Sequence, residues 1–225
     1  MASGSGDLFL RIFFIFPNMK LICISDTHNK HSQIDIPDGD ILIHAGDITA
    51  GGTKREVVDF LDWFASQPHQ YKIFIAGNHD FYFENNKENE IQEIIPKNVF
   101  YLFNKGITIN KINFWGSPIT PGIGTWAFNQ TQNISKHWQQ IPDDTHVLIT
   151  HTPPYKINDV LNNGRHAGCA SLSKTLQNRQ IKFHIFGHVH DSYGITSVSG
   201  TKYVNASCLD NKDRYLHPPL EITVD

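Results

Sequence analysis

The amino-acid sequence predicts an α/β fold, in which short buried strands alternate with amphipathic helices. Short apolar runs rich in β-forming residues recur along the whole chain. Between two of them, four apolar side chains recur at helical spacing: Val57, Phe60, Leu61 and Phe64. Five of the apolar runs end directly in Asp, Asn or His. Because functional residues of α/β sheets gather at the carboxyl ends of the strands, this pattern predicts a site at one sheet edge.

Composition and charge set limits on the class of protein. The chain has 225 residues and a formal net charge of −3, which suits one domain with a sizeable core. It has no run of lysine and arginine, so a large nucleic-acid-binding surface is not expected. The three cysteines form neither a disulfide framework nor a zinc-ribbon pattern. This favours a reducing compartment, and we expect the cytoplasm.

The N-terminal segment is strongly apolar over residues 8 to 16, where Arg11 interrupts it. This segment is shorter than the about 20 residues that a membrane-spanning helix needs. It also lacks the basic segment that begins a signal peptide. We therefore expect residues 1 to 18 to be an accessory extension, with disorder as an open alternative. Residues 19 to 225 are expected to form one domain without a membrane span.

The first two predicted strands end in potential metal ligands. Residues 20 to 25 lead into Asp26 and His28, and two side chains separated by one residue point to the same side of an extended backbone. Residues 41 to 43 lead into Asp47. A solvated turn is the alternative interpretation of the strand end at Asp26 and His28.

The segment after Asp47 predicts the first helix. His44 lies within the second strand, where a buried supporting histidine is favoured over a metal ligand. Thr53 is the expected N-cap of the helix, and Glu56 stands at the capping-box position.

The third predicted strand, residues 73 to 76, is followed by the largest group of adjacent candidate functional residues. Gly77 ends it, because glycine permits backbone angles that other residues avoid. Asn78, His79 and Asp80 follow at once. They offer a neutral oxygen ligand, a titratable imidazole and a carboxylate that can orient this imidazole. A turn with a surface histidine is the alternative.

The middle of the chain carries weaker signals. A helix is predicted over residues 86 to 95, before Pro96. Residues 117 to 128 form a loop rich in Pro, Gly and Trp that can flank a pocket. Three short strands with turn signals between them predict a meander: residues 99 to 103, 107 to 109 and 112 to 115.

The last third returns to the earlier pattern. A strand over residues 146 to 150 leads into His151, which two nearby prolines hold at the strand end. A strand over residues 183 to 186 leads into His188 and His190. The remaining predicted elements are a helix over residues 170 to 177 and strands over residues 193 to 198, 202 to 205 and 220 to 224.

The ligand inventory fits two metal ions better than one. A single structural zinc needs about four ligands, usually with sulfur. Mixed imidazole and carboxylate sites suit Mn, Fe, Zn or similar divalent ions, and two such ions roughly 4 Å apart are a device for phosphoryl chemistry. The strand ends supply seven ligands even with His79 set aside: Asp26, His28, Asp47, Asn78, His151, His188 and His190.

The ordered motifs resemble those of the calcineurin-like metallophosphoesterases. The likeness covers nearly the whole chain from Met19 onward, and it rests on Asp-x-His, Gly-Asp, Gly-Asn-His-Asp, a later His and Gly-His-x-His. Residues 23 to 28, 75 to 79, 186 to 188 and 205 to 207 resemble the metallophosphoesterase-domain-containing (MPPED) branch. The resemblance implies a four-layer α/β/β/α sandwich of two mixed β-sheets flanked by helices.

The resemblance also implies a role for each strand-end residue. Asp26, His28 and His190 would hold the first divalent ion. Asn78, His151 and His188 would hold the second, and Asp47 would bridge both. A bridging hydroxide would attack phosphorus in line. His79 would donate a proton to the leaving oxygen, and Asp80 would orient His79.

Two features of the motifs bear on activity. Some members of the MPPED branch carry glycine at the position of His188, so the histidine here completes the ligand set and favours an active enzyme. The Asp-Arg-Gly pattern of Ser/Thr protein phosphatases is absent after Asp47. A protein phosphatase is therefore disfavoured.

The leading hypothesis is a phosphodiesterase that hydrolyses small phosphodiesters such as cyclic nucleotides. The expected substrate is a small phosphoester such as a nucleotide, and the oligomeric state is open. A broad-specificity phosphomonoesterase is the close rival, because its metal ligands could be identical. A non-catalytic metal-binding scaffold is a weaker alternative, and a nuclease is disfavoured by the acidic balance. Four loop residues are candidates to contact substrate, each with packing as its alternative: Trp126, Phe128, Arg165 and His166.

Overall fold

The computed structural model describes residues 18 to 122 and 124 to 225. Apart from Asn18, the predicted extension lies outside the described residues. None of the helices in the described ranges is long and apolar enough to cross a membrane. The strands of this part of the chain are β1 (Met19–Ile24), β2 (Ile41–Ala45), β3 (Tyr71–Ile75), β4 (Val99–Tyr101), β5 (Lys105–Ile109), β6 (Ile112–Ser117), β7 (Thr120–Pro121), β8 (Asn129–Gln130), β9 (Val147–Thr150), β10 (Phe183–Phe186), β11 (Gly194–Val198), β12 (Thr201–Asn205) and β13 (Leu220–Val224). The α-helices are α1 (Lys54–Ser66), α2 (Phe81–Asn85), α3 (Glu88–Ile94), α4 (Ile134–Trp138) and α5 (Ala170–Leu176).

Eleven of these strands form two mixed sheets, as the sequence resemblance implied, and β7 and β8 pair in a separate two-stranded parallel sheet. The first sheet has the order β13-β1-β2-β3-β4, in which β1 to β4 are parallel and β13 is antiparallel to β1. The second sheet has the order β11-β12-β10-β9-β6-β5. Its four central strands are parallel, and β11 and β5 pair antiparallel at its two edges.

The apolar pattern of the strands explains the layered packing. Parallel strands that are covered on both faces are apolar on both faces. Alternate side chains of β1 to β3, such as Cys23 and Ile43, pack against those of the second sheet, such as Phe114 and Ile149. The opposite faces pack against the helices. For example, Phe74 of β3 contacts Phe60 of α1, with ring centroids 5.9 Å apart.

The capping box predicted for α1 is present. Thr53 Oγ1 accepts the N–H of Glu56 at 3.3 Å, and Glu56 Oε2 accepts the N–H of Thr53 at 2.7 Å. The other carboxylate oxygen of Glu56 accepts a hydrogen bond from Asn29 at 2.6 Å. The start of α1 is therefore tied to the loop that follows β1.

One prediction in the middle of the chain was wrong. The predicted meander does not form, because β4 pairs parallel with β3 in the first sheet whereas β5 and β6 form a hairpin in the second. Turn signals separate short strands but do not say which sheet each one joins. The helix predicted over residues 86 to 95 forms as α3, Glu88–Ile94. A first short helix, α2, begins at Phe81, directly after the Asn-His-Asp motif.

Candidate metal centre

Five strands end at one edge, and the predicted metal ligands follow them there. β1, β2 and β3 belong to the first sheet, and β9 and β10 belong to the second. Their donor atoms form three overlapping groups among the described residues, and the atoms of each group lie within 4.8 Å of one another. The groups are Asp26 with His28 and His190, His28 with Asp47 and His79, and Asp26 with Asp47 and His151.

The first group is built around the buried carboxylate of Asp26. His190 Nε2 lies 3.4 Å from Asp26 Oδ1. The carboxylate also accepts the N–H of His188 at 3.0 Å and the hydroxyl of Ser207 at 2.8 Å. Burial raises the pKa of Asp26, but the hydrogen bond and charge of His190 hold that pKa well below its usual range. The group therefore carries a full carboxylate at neutral pH, as a divalent ion requires.

Asp47 belongs to both the second and the third group. Its Oδ2 lies 3.7 Å from His28 Nε2 and 3.3 Å from His151 Nε2. His151 Nε2 in turn lies 2.9 Å from Asn78 Oδ1. Burial lowers the pKa of His151, but the charge and hydrogen bond of Asp47 and the charge of Asp26 together outweigh it and raise this pKa to about 9. Asp47 thus lies close to both His28 and His151.

His188 is the predicted histidine ligand that lies outside these three groups. Its ring centroid is 5.0 Å from that of His151 and 5.8 Å from that of Trp126. Burial and the charge of His151 lower the pKa of His188 to about 4. The imidazole is therefore neutral at pH 7, which is the form that binds metal.

The second nitrogens of the ligand histidines show that these residues fit metal ions. His28, His151 and His190 each point Nδ1 at a backbone carbonyl oxygen, at 3.1, 2.9 and 3.0 Å. The carbonyl accepts a hydrogen bond from Nδ1–H, so Nε2 is the nitrogen that faces the cluster. Metal-binding histidines are held in this way in known metal sites. Together with two carboxylates and one amide oxygen, the donor set suits two divalent ions.

The backbone of the strand-end loops is shaped for close packing of the ligands. Asp26, His28, Asp47 and His188 all have positive φ values, at 54°, 39°, 55° and 69°. Such angles are uncommon outside glycine, and they cluster at functional sites. A Cβ atom on Gly187 would overlap the carboxylate of Asp26. The glycine of the Gly-His-x-His motif is thus required by close approach.

Asp80 does not orient His79, so this predicted role is corrected. The buried Asp80 carboxylate accepts the N–H groups of Gly77, Ile48 and Thr49 at 2.7, 3.2 and 2.8 Å. The hydroxyl of Thr49 donates to it as well, at 2.6 Å. Asp80 therefore joins the loops that follow β2 and β3, because four donors already occupy its oxygens.

A backbone carbonyl positions His79 instead. His79 Nδ1 lies 3.1 Å from the carbonyl oxygen of Ala50. The His79 backbone N–H donates to Asp47 Oδ1 at 2.8 Å. The ring packs edge-on against His28 with centroids 4.7 Å apart. His79 therefore stands beside the candidate metal site with Nε2 available for proton transfer.

The supporting groups were mostly invisible in the sequence. The carbonyl groups of Ala45, Thr49, Ala50 and Asp210 carry no residue-type signal, because every residue has a carbonyl. Ser207 was part of a motif that resembled the MPPED branch, but no role was predicted for it. A hydroxyl two residues beyond β12 is the one signal that could have identified it.

A cavity of about 300 Å³ opens over the metal ligands. Trp126 lies beside it, with its ring 5.8 Å from His79, and its side chain is 44% exposed. The other loop candidates do not line this cavity. Phe128 is buried, and His166 pairs with Asp159 at 2.6 Å. Arg165 lies on the exposed part of the same loop as His166.

Comparison with known protein families shows which family this chain belongs to. A family model described as calcineurin-like phosphoesterase matches residues 19 to 192. The chain belongs to this family. The match includes the five strand ends and all seven predicted metal ligands.

Individual relatives of this calcineurin-like phosphoesterase agree with the MPPED resemblance. The UPF0046 protein K07C11.7 of Caenorhabditis elegans is 39% identical over 204 residues, which are 85% of this chain and 70% of that protein. The human metallophosphoesterase domain-containing protein 1 is 36% identical over 230 residues. The match covers 90% of this chain and 70% of the human protein.

A solved structure supports the fold alone. The phosphopantetheinyl hydrolase PptH of Mycobacterium tuberculosis matches with a TM-score of 0.58 and 14% identity. The match covers 88% of this chain and 92% of that protein. The sandwich of two mixed sheets is therefore shared at low sequence identity.

Proposed function

We propose that this calcineurin-like phosphoesterase is a dinuclear-metal-dependent phosphodiesterase that hydrolyses small phosphodiesters. One observation carries the proposal. Asp47 joins two groups of metal-ligating side chains, and a histidine outside the predicted ligand set stands beside them in an open cavity. This arrangement combines sites for two ions with a group that can transfer a proton.

Seven side chains would hold the two ions, which are Mn, Fe, Zn or similar. When bound, such ions lower the pKa of a coordinated water, orient the phosphate and neutralise developing charge. The identity of the two metal ions is part of the proposal. The ligands are Asp26, His28 and His190 for one ion, Asn78, His151 and His188 for the other, and Asp47 for both.

His79 would protonate the leaving oxygen. Its Nδ1–H is held by the Ala50 carbonyl, so Nε2 is the nitrogen that carries the transferred proton. General acid catalysis contributes about 100- to 10,000-fold to turnover. Because His79 contacts the ligand cluster only at its margin, its loss would reduce turnover more than metal binding.

The charge of the cavity favours diesters over monoesters. Among the described residues that line it there is no lysine or arginine, whereas Asp191 and Asp213 lie at its rim. A phosphomonoester carries a second negative charge near neutral pH, which these carboxylates disfavour, whereas a diester carries only one. Trp126 offers an aromatic face to an attached base, so cyclic nucleotides are the substrates that we propose to examine first.

Cys23, Cys169 and Cys208 are buried and form no disulfide, which supports a location in a reducing compartment. Disulfides are rare in cytosolic proteins because thiols are kept reduced there. We propose a cytoplasmic location on this ground.

Hydrolysis of paired model substrates tests the proposed function. Bis-p-nitrophenyl phosphate and p-nitrophenyl phosphate are compared with added Mn, with and without chelator. We expect cleavage of the diester, a slower reaction with the monoester, and loss of both with chelator. His79→Ala should lower kcat by about 100-fold or more, while the bound Mn measured by mass spectrometry stays unchanged.

A control histidine separates catalysis from general damage. His166→Ala changes a histidine outside the cavity, and its kcat should match that of the unchanged protein. A faster monoester reaction would favour the phosphomonoesterase instead. Two bound metals without cleavage of either substrate would favour the metal-binding scaffold.

A further inference from the structure

A second cavity of about 370 Å³ is lined in part by Phe128, two residues after Trp126. Its walls come from α2 and α3, from the segment between β4 and β5, and from the loop around β7 and β8. Ligand pockets of proteins begin at about 300 Å³, so this volume suits a small molecule. Apolar and aromatic side chains dominate the walls: Phe83, Ile91, Tyr101, Phe103, Ile119 and Phe128.

Two polar atoms of this wall are buried without a hydrogen-bond partner among the described residues. They are the hydroxyl oxygen of Tyr101 and Oδ1 of Asn129. The Tyr101 ring is fixed by stacking on Phe74 and contact with Phe83, at centroid distances of 4.9 and 4.8 Å. A buried polar group without a partner costs about 1 to 3 kcal/mol, and native proteins leave few such groups unexplained. A ligand whose polar group reached the Tyr101 hydroxyl would supply the partner that the described residues do not.

The charges around the cavity argue against an anionic ligand. Glu84 and Glu88 line it, and Lys105 is the single cation among the described lining residues. Glu84 Oε1 accepts the N–H of Phe128 at 2.6 Å, so its negative charge is fixed at the wall. A carboxylate or phosphate would meet this charge, whereas an uncharged ligand would not.

We propose that this cavity binds a small uncharged aromatic molecule that carries one hydroxyl or carbonyl group. The aromatic body would pack against Phe83, Phe103 and Phe128, whose ring faces and edges favour offset or edge-on contacts. The polar group would pair with the Tyr101 hydroxyl. This binding does not depend on the proposed phosphodiesterase function.

The same site is connected to the candidate active site through one short segment. Phe128 has a φ of 57°, which is uncommon for an aromatic residue, and the bond to Glu84 helps to hold it. One residue earlier, the N–H of Ala127 donates to the carbonyl of Asn78 at 3.0 Å. Trp126 comes next and lies against His79 and His188. A ligand that shifts Phe128 therefore also shifts Trp126.

Binding is tested with three matched probes on the full chain by calorimetry and amide NMR. We expect 2-naphthol to bind, naphthalene to bind more weakly, and 2-naphthoate not to bind. Tyr101→Phe keeps the ring and removes the hydroxyl. It should therefore weaken the binding of 2-naphthol about 2- to 10-fold, which corresponds to the loss of one neutral hydrogen bond. Tyr203→Phe, a buried tyrosine elsewhere, should leave the affinity unchanged.

A pair of exposed positions on α3 locates the site. Gln92 lines the cavity, and Glu93 beside it does not. Gln92→Trp should abolish binding by filling the mouth, whereas Glu93→Trp should have no effect. Absence of 2-naphthol binding, equal effects of the two tryptophan variants, or tighter binding of 2-naphthoate would each overturn the proposal.

The connection to Trp126 has its own readout, which needs no enzymatic activity. The indole N–H signals in a proton–nitrogen NMR spectrum are assigned with Trp126→Phe. Addition of 2-naphthol should move the Trp126 signal and leave that of Trp63, which lies on α1, in place. An unmoved Trp126 signal at saturating 2-naphthol would overturn the connection. This result is independent of whether the protein cleaves phosphodiesters.

Discussion

At the scale of single residues, Asp80 and His79 are neighbours in the sequence but bind different partners. The four donors on Asp80 belong to the loops after β2 and β3. Burial and the charge of Asp47 raise the pKa of Asp80 to about 6. The residue next to the proposed acid is therefore a structural anchor of the metal-binding loops, whereas His79 depends on the Ala50 carbonyl.

Replacement of Asp80 distinguishes an anchor from an orienting residue. Asp80→Ala leaves three buried N–H groups without a partner, each at a cost of about 1 to 3 kcal/mol. We expect the free energy of unfolding, measured with urea, to fall by about 3 kcal/mol or more. His79→Ala, one position earlier, should change it by less than about 0.5 kcal/mol because His79 is partly exposed. Equal stability of the two variants would contradict the anchoring role.

At the scale of elements, each strand end works because its loop lies close to another loop. Gly187 follows β10 and packs against Asp26, which follows β1 of the other sheet. His188 then donates its N–H to that carboxylate. A contact between the two sheets therefore fixes ligands that are 162 positions apart in the chain.

Gly187→Ala tests this contact between the loops. The added methyl group would overlap Asp26 and Ser25, so the Asp26 carboxylate must move away from His190. Changes to groups that hold metal ligands cost about 10- to 100-fold in metal affinity, and we expect a loss of that size in a Mn titration. Gly51→Ala is the control, because its methyl group would meet nothing closer than 3.4 Å. Unchanged Mn affinity in Gly187→Ala would contradict the argument.

At the scale of the whole molecule, each sheet buries one histidine beside the metal-binding edge. His44 of β2 pairs with the hydroxyl of Thr27 at 2.9 Å, and His184 of β10 pairs with that of Thr150 at 2.8 Å. Burial lowers the pKa of both histidines to about 3. His44 is thus a buried supporting histidine, as the sequence favoured, and both residues remain neutral while the protein is folded.

These two histidines make the fold sensitive to acid. Their ordinary pKa near 6.5 applies only to the unfolded chain, which therefore binds more protons between about pH 6.5 and 3. The stability that they contribute is complete above this range and is lost as the pH falls. In metal-free protein, His184→Gln should flatten the dependence of unfolding free energy on pH by about 1.4 kcal/mol per pH unit in this window. An unchanged slope in urea unfolding at pH 6 and pH 5 would contradict the assignment.

The sequence by itself determined the strands and the chemistry at their ends. Apolar runs fix β1, β2, β3, β9 and β10 because burial on both faces leaves no polar alternation, and the Asp, Asn and His residues at their ends are read directly. The capping box of α1 was equally local. All of these features depend on neighbours within a few residues.

Tertiary structure alone decided how these pieces combine. The assignment of β4 to the first sheet and β5 to the second depends on partners far along the chain. So do the carbonyl groups that hold the histidines, the true partners of Asp80 and the cavity beneath Phe128. Backbone carbonyls and cavities are not tied to any residue type. For this physical reason, no pattern in the sequence could predict them.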